Sequence, residues 1–146
     1  MMVAMTDQPE LSVVIPVFNE EINIVPMYER LLAALAEKVG GLEMLYVDDG
    51  SADTSWEKIC ELAKSDDRVR GVRFARNFGH QAALTAGVDA ARGRAVVIIA
   101  GDMQDPPEVI PEMVDRWREG FEVVYGQREN REGETWFKLA TASAFY

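Results

Sequence analysis

Two adjacent carboxylates in the first half of the chain are strong candidates for chemistry. Asp48 and Asp49 come directly after an apolar run and are followed by Gly50 and Ser51. Adjacent carboxylates repel each other unless a cation or a hydrogen-bond donor lies beside them. The pattern therefore indicates a ligand-binding turn. A tight turn in which an aspartate caps the next helix satisfies the same pattern, and both interpretations stay open.

A second acidic sequence follows another apolar run. Asp102 is separated by one residue from Gln104, and a carboxylate with an amide oxygen at this spacing suits Mg²⁺ or Mn²⁺. Asp105 precedes two prolines and Glu108, a pattern typical of a helix start with aspartate as the cap. We therefore predict metal binding for Asp102 and Gln104, and a structural role for Asp105.

An alternation of strand and helix patterns places these residues. Apolar runs predict strands over residues 11–17, 42–47, 69–75, 95–99 and 121–126. Helices are predicted over residues 21–39, 54–64, 80–91 and 105–119, with Asn19 as the first cap and a capping box from Thr54 to Glu57. This order predicts an α/β fold with a doubly wound, mostly parallel sheet flanked by helices. The run 95–99 is apolar on both faces and is expected at the sheet centre.

Ligands of such sheets bind at the carboxyl ends of the strands, so the loops after the strands matter most. The first of these loops lacks the G-x-G-x-x-G pattern of dinucleotide-binding domains, and the chain lacks the phosphate-binding G-x-x-x-x-G-K-[ST] pattern. A divalent cation would then carry much of the charge of a bound diphosphate. Metal with diphosphate is what a nucleotide-activated donor requires.

Composition narrows the classes of function further. With 146 residues and 48% hydrophobic content, the chain has the size and the apolar content of one domain. Its formal charge of -10 argues against nucleic acid as a partner, because phosphate backbones are bound by clustered cations. Cys60 is the only cysteine, which fits a reducing cytoplasm without disulfides. No apolar run approaches the roughly 20 residues of a membrane-spanning helix, and we expect no signal peptide.

Several motifs together resemble glycosyltransferase family 2, the metal-dependent nucleotide-sugar transferases of the GT-A fold. The matching pieces are residues 12–20, 46–53 and 101–108. Residues 76–83 and 125–138 are similar to the polyprenyl-phosphate branch of that family, which includes bactoprenol glucosyltransferases and dolichol-phosphate mannose synthases. The resemblance extends over nearly the whole chain, in the order of the predicted loops.

The resemblance implies roles for individual residues. The donor nucleotide would be bound by Pro16, Phe18, Glu20, Asp48, Asp49 and Asp102. Among these, Asp49 would meet the uracil or the ribose, and Asp102 with Gln104 would bind Mg²⁺ or Mn²⁺ on the diphosphate. Many relatives carry D-x-D where this chain has Ala100, so one carboxylate is missing. Either the metal would then bind more weakly, or it would depend also on Gln104, a backbone carbonyl and the phosphates of the donor.

The implied reaction is a single displacement with inversion, in which glucose moves from UDP to undecaprenyl phosphate. A phosphate monoester is largely ionised at pH 7 and needs no general base, only positive charge to bring it beside the donor. The candidates for that charge are Arg128, Arg131 and Lys138. With Asp102, the two arginines are the predicted catalytic residues. Pairing of these cations with neighbouring glutamates in solvent is the alternative.

The end of the sequence suggests a membrane surface as a partner. Residues 134–146 carry aromatic side chains among few charges, which predicts the start of an interfacial amphipathic helix after a catalytic domain of residues 1–133. Packing of the same side chains into a core is the alternative. We expect such a protein at the cytoplasmic face of the plasma membrane, and homo-oligomerisation is left open.

Two other functions fit part of the pattern. A family relative that glycosylates a saccharide or protein hydroxyl would need a general base, for which Glu132 and Glu134 are the candidates. A non-catalytic module would keep the nucleotide pocket but, without an acid at position 100, would no longer transfer the sugar.

Overall fold

The computed structural model describes residues 8–129 and 136–142. The described residues form two compact units, of which the first ends at Pro107 and the second begins at Glu108. The domain boundary expected at residue 133 falls outside the described residues. Within the described part of the chain, no helix is both long enough and apolar enough to cross a membrane.

The first unit is built on a parallel sheet of four strands. The strands are β1 (Leu11–Val17), β2 (Leu42–Asp48), β3 (Val69–Arg73) and β4 (Ala95–Ile98). Their order across the sheet is β3-β2-β1-β4, and each neighbouring pair is parallel. The predicted α/β class with a parallel sheet is therefore confirmed.

Three helices connect these strands: α1 (Ile24–Leu35), α2 (Ser55–Ser65) and α3 (His80–Ala90). All residues of β1 and β2 are buried, as expected for strands covered on both faces. Helix α3 packs on these two strands through Gly87, where an added Cβ would lie 2.3 Å from a methyl carbon of Val14. The close approach of helix and sheet thus depends on a residue without a side chain.

The prediction that residues 95–99 form a central strand is wrong. Strand β4 pairs with β1 alone and is the edge of the sheet among the described residues. Val96 and Ile98 are 41% and 48% exposed. An apolar run reports the hydrophobicity of both faces, but it carries no information on how many neighbours a strand has.

The starts of the helices also differ from the prediction. Helix α1 begins at Ile24 after Asn23, so Asn19 does not cap it. Thr54 flanks α2 without a side-chain capping bond, and Asp53 instead accepts a hydrogen bond from the Ser55 N–H at 2.9 Å. In both places a polar side chain also bonds to another loop, since Asn19 accepts from the Ala52 N–H and the Thr54 hydroxyl donates to Glu21. A local capping pattern does not reveal such contacts.

The second unit contains helix α4 (Ile110–Arg118) and an antiparallel pair, β5 (Val123–Glu129) with β6 (Trp136–Ala142). A 3₁₀ turn at Pro107–Val109 precedes α4, so Asp105 does not cap that helix directly.

Two predictions for this part of the chain are wrong. Strand β5 does not join the parallel sheet, and residues 136–142 form a strand where an interfacial helix was expected. The aromatic and β-branched residues of this segment favour a paired strand as readily as a helix. The rest of the predicted helix, residues 134–135 and 143–146, lies outside the described residues.

Candidate functional site

A cleft of about 350 Å³ lies at the carboxyl ends of the parallel strands, within the first unit. Four strand ends or loops contribute its walls. The lining residues are Pro16, Val17, Phe18 and Glu20 from the end of β1, Asp49 after β2, Asn77, Gly79, His80 and Ala83 after β3, and Ala100, Gly101 and Asp102 after β4. The cleft therefore occupies the place at which a parallel α/β sheet binds its ligand.

The structure brings most of the predicted donor-binding residues together. Five of the six line the cleft: Pro16, Phe18, Glu20, Asp49 and Asp102. The exception is Asp48, and the predicted metal ligand Gln104 is also absent from the cleft lining.

Asp49, in the turn after β2, makes hydrogen bonds to the end of β1 and to the loop after β3. Its Oδ1 accepts a hydrogen bond from the Phe78 N–H at 2.7 Å, and its Oδ2 accepts one from the Gly79 N–H at 3.1 Å. Its own N–H donates to the Val17 carbonyl at 2.9 Å. The side chain is 4% exposed, so main-chain N–H groups supply the donors that a buried carboxylate requires. Asp49 thus fixes the loop after β3 in addition to lining the cleft.

Gly50 allows this loop to approach so closely. Its φ is 75°, and an added Cβ would lie 2.5 Å from the carbonyl carbon of Arg76. That distance is shorter than any stable contact with main-chain atoms. The D-D-G pattern therefore combines a carboxylate that holds a loop with a glycine that makes room for it.

Asp48 holds the turn after β2 and is absent from the cleft lining, and its place among the donor-binding residues stays a prediction. It is fully buried, and its Oδ1 accepts from the Ser51 N–H at 3.0 Å. Its Oδ2 lies 3.3 Å from Nε of Arg73, whose guanidinium also lies 5.7 Å from the ring centre of Trp56. These contacts agree with the tight-turn interpretation for the first aspartate, whereas the second lines the cleft.

The second acidic sequence forms a tight turn at the edge of the cleft. Met103 adopts a left-handed conformation with φ of 65°, and the Gln104 N–H donates to Oδ1 of Asp102 at 3.1 Å. Both side chains at positions 102 and 104 are exposed. The turn presents one carboxylate to the cleft and contributes a main-chain N–H that orients it.

The carboxylates of the cleft suit a divalent cation whose remaining coordination positions are filled by a bound substrate. Residues 8–129 and 136–142 contain no group of three or more His, Cys, Asp or Glu able to hold a metal alone. Of the three carboxylates that line the cleft, Asp49 accepts N–H bonds on both oxygens, Glu20 accepts one on Oε2, and Asp102 accepts one on Oδ1. Asp102 lies on the exposed turn after β4 and is the carboxylate to which we assign the metal. Mg²⁺ is commonly bound by one or two carboxylates together with substrate phosphates and waters. A single carboxylate is compatible with that mode.

The loop after β3 supplies site residues that the sequence did not single out. Asn77 and Ala83 line the cleft, the second of them fully buried on the first turn of α3. Beside them Phe78 is 54% exposed, and the guanidinium carbon of Arg76 lies 4.3 Å from its ring centre. The available signals were the position of this loop after a predicted strand and the resemblance of residues 76–83 to the polyprenyl-phosphate branch. Neither signal assigned a role to a single residue of the loop.

The predicted acceptor-phosphate residues belong to the second unit or lie outside the described part. Arg128 is opposite Phe137 in the antiparallel pair, and Lys138 is opposite Gln127. The two cations therefore occupy successive register positions. Arg131 lies outside the described residues, and the role of all three in acceptor binding stays a prediction.

Comparison with known proteins gives close relatives. The chain is 50% identical over 137 residues to an uncharacterised glycosyltransferase of Bacillus subtilis, YkcC, covering 94% of this chain and 42% of the relative. It is 40% identical over 138 residues to the bactoprenol glucosyl transferase of Shigella phage SfV, covering 94% and 45% respectively. The chain thus spans less than half the length of these relatives.

Solved structures and a family model agree with this similarity. The fold matches a mannosyltransferase from Pyrobaculum calidifontis, solved in complex with GDP-Man and Mn²⁺, with a TM-score of 0.67 and 22% identity over 80% of this chain and 34% of that one. The fold is therefore that of the GT-A glycosyltransferases. The model of Glycosyl transferase family 2 matches residues 12–142. This chain belongs to glycosyl transferase family 2.

Proposed function

We propose that this chain is the donor-binding part of an inverting glycosyltransferase that moves glucose from UDP-glucose to undecaprenyl phosphate. The observation that carries the proposal is the cleft at the strand ends, in which Asp49 fixes one wall and Asp102 is part of the lining. The name of the phage relative supports the choice of a polyprenyl phosphate as acceptor. Such a lipid substrate would place the enzyme at the cytoplasmic face of the plasma membrane.

The cleft has the size and lining expected for a nucleotide. A volume of about 350 Å³ is near the lower end of the range of small-molecule sites. Phe18 is 47% exposed and offers an apolar ring face for a base, whereas Asn77 offers a polar side chain from the loop after β3. Asp49 would act on the nucleoside chiefly by fixing the loop that carries Asn77 and Gly79, because both of its oxygens already accept N–H bonds.

Asp102 is the residue that we expect to bind the cation. Bound Mg²⁺ or Mn²⁺ would neutralise charge on the diphosphate as the nucleotide leaves. The Gln104 N–H holds one carboxylate oxygen in place, so the turn orients this side chain before any ligand binds. Ala100, at the position of a missing carboxylate, lines the same cleft and leaves room for the phosphates themselves.

The acceptor would be recognised by charge. Its phosphate oxygen attacks the anomeric carbon directly, the bond to the diphosphate breaks, and no proton needs to be removed from an ionised phosphate. We assign the contacts with that phosphate to Arg128, Arg131 and Lys138. Arginine suits this role because its guanidinium can donate two parallel hydrogen bonds to one phosphate.

The experiment that tests this function is a transfer assay with defined substrates. The purified protein is incubated with labelled UDP-glucose, Mn²⁺ and undecaprenyl phosphate, and the labelled lipid is quantified. Formation of glucosyl lipid is the expected result. UDP release that requires a saccharide or protein acceptor, and that is lost in Glu132→Gln or Glu134→Gln, would contradict the lipid acceptor and favour a hydroxyl acceptor.

The base of the nucleotide is tested separately by thermal stabilisation. UDP at 100 times its dissociation constant should stabilise the folded state by about 2.7 kcal/mol, whereas GDP at the same concentration should do less. The reverse order would contradict UDP as the donor nucleotide. Nucleotide binding without any transfer to lipid, measured on the full-length protein, would instead identify a non-catalytic module.

A further inference from the structure

Two loops of the first unit are joined by side chains that bind consecutive main-chain amides. The N–H of Asn19 donates to Oγ of Ser51 at 2.9 Å, and the N–H of Glu20 donates to Oγ of Ser55 at 3.0 Å. The N–H of Glu21 donates to Oδ2 of Asp53 at 3.1 Å. Three successive amides after β1 are thus satisfied by three side chains from the segment that follows β2.

The side chains of the loop after β1 also accept hydrogen bonds from the segment that follows β2. Oδ1 of Asn19 accepts from the Ala52 N–H at 2.8 Å, and Oε2 of Glu21 accepts from both the N–H and the hydroxyl of Thr54, at 3.0 and 2.6 Å. The Thr54 hydrogen bonds hold the pKa of the Glu21 carboxyl below its ordinary value. We call this reciprocal set of bonds, between residues 19–21 and residues 51–55, the interloop network.

Asn19 has two properties that this network requires. Its φ is 53°, in the left-handed region that asparagine, aspartate and glycine adopt more readily than other residues. Its side-chain oxygen is also the acceptor for Ala52. Aspartate would keep both properties, glycine would keep only the first, and alanine would keep neither.

The network bears on the cleft because it includes Glu20, which lines the cleft, and follows directly after Phe18, which also lines it. Phe18 and Glu20 line the cleft, and Asn19 lies between them. Oε2 of Glu20 accepts from Nδ2 of Asn23 at 2.7 Å, which fixes the far end of the same loop. A change in the backbone at Asn19 would therefore rotate both neighbouring side chains away from their places in the wall.

We propose that Asn19 is a positioning residue for donor binding, which sets the wall formed by Phe18 and Glu20 through the interloop network. This inference rests on the proposed function, since it assumes that the cleft binds a nucleotide. Asn19 itself is absent from the cleft lining, so its effect on the nucleotide would be transmitted through its two neighbours.

Three substitutions at this position form a matched series. The dissociation constant of UDP in the presence of Mn²⁺ is measured by calorimetry for Asn19→Ala, Asn19→Gly and Asn19→Asp, together with the melting temperature of each variant. We expect about tenfold weaker binding in Asn19→Ala, an intermediate value in Asn19→Gly, and a value within about threefold of the parent in Asn19→Asp.

The control separates positioning from general loss of stability. Asp66→Asn removes a carboxylate that accepts from Tyr28 and Arg68 before β3, at the opposite end of the sheet from the cleft. It should lower the melting temperature without weakening UDP binding. Parent-like affinity in Asn19→Ala, or equal weakening in Asp66→Asn, would overturn the assignment of Asn19. Failure of the unsubstituted protein to bind either UDP or GDP would instead overturn the proposed function, and this inference with it.

Discussion

The carboxylate of Asp49 is bonded to the main chain of Phe78, with Oδ1 2.7 Å from the amide nitrogen. These residues lie in different loops, one after β2 and one after β3. Because Oδ2 accepts from the next amide as well, a single side chain fixes a wall of the cleft and satisfies its own buried charge. The position of the loop after β3 therefore depends on the carboxylate of Asp49. A substitution at position 49 can test this dependence.

Replacement of Asp49 by asparagine should release this loop. Asparagine has one acceptor oxygen, so one of the two amides loses its partner, and an unsatisfied buried group costs about 1–3 kcal/mol. We expect that loss in the free energy of unfolding and about tenfold weaker UDP binding. Urea denaturation and calorimetry measure the two effects. Asp89→Asn, on the exposed side of α3, is the control, and equal behaviour of the two variants would contradict the role of Asp49.

Replacement of Asp102 by asparagine should remove the metal dependence of binding. The neutral amide keeps the turn geometry but is a much weaker ligand for a hard cation. We expect UDP to bind the variant equally with and without Mn²⁺, whereas Mn²⁺ strengthens binding to the parent. The matched control is Asp105→Asn, three residues away and absent from the cleft lining. Loss of the Mn²⁺ effect in the control alone would assign the metal to Asp105.

Replacement of Gly87 by alanine should destabilise the first unit. The added methyl would lie 2.3 Å from a methyl carbon of Val14, in a core where overpacking costs about 1–3 kcal/mol. Chemical denaturation measures the cost directly. In a Val14→Ala background the same substitution should cost less, because the clashing methyl is gone. An equal loss of unfolding free energy in that background would show that the clash with Val14 is not its cause.

Acid should selectively weaken the contribution of Asp66 to stability. Hydrogen bonds from Arg68 hold the pKa of this carboxyl at about 2, below its ordinary value of 3.8. A lowered pKa in the folded state gives stability that is complete above pH 4 and is lost as the pH falls towards 2. The stability difference between the parent and Asp66→Asn should therefore shrink over that interval. A difference independent of pH would show that the ionised form is not the stabilising one.

Replacement of Arg128 by alanine should weaken binding of the lipid acceptor and leave binding of the donor nucleotide unchanged. If Arg128 contacts the acceptor phosphate, the KM for undecaprenyl phosphate should rise about tenfold or more, since a charge-assisted hydrogen bond contributes about 1.5–3 kcal/mol. The affinity for UDP should stay unchanged. Arg116→Ala, on helix α4, is the control for loss of one positive charge. Weaker UDP binding without a change in the KM for the lipid would assign Arg128 to the donor.

Much of the fold follows from local patterns in the sequence. The run around β1 is apolar and rich in β-branched residues, the run around β2 is mostly apolar, and the structure buries every residue in both strands. Their alternation with helical patterns was sufficient to predict a parallel sheet, and hence a site at the strand ends. The second aspartate of the D-D-G pattern and Asp102 both line the cleft, and their roles in binding the donor and the metal stay predictions.

The features that could not be predicted from the sequence depend on contacts between distant segments. Asn19 resembles a helix cap, yet its side chain binds Ala52, 33 residues later. Asp48 and Asp49 are chemically identical neighbours, and only the three-dimensional partners Arg73 and Phe78 distinguish their roles. The segment that forms β6 has a composition compatible with helix or strand, and its pairing with β5 decides between them.

The most direct test of the account is hydrogen exchange of the protein with and without UDP and Mn²⁺, read by mass spectrometry at peptide resolution. If the cleft binds the nucleotide, UDP with Mn²⁺ should slow exchange in peptides that cover residues 17–20, 77–83 and 100–102, and Asp102→Asn should abolish the part that needs Mn²⁺. Unchanged exchange in all three segments, with protection elsewhere in the chain, would contradict a donor site at the carboxyl ends of the strands.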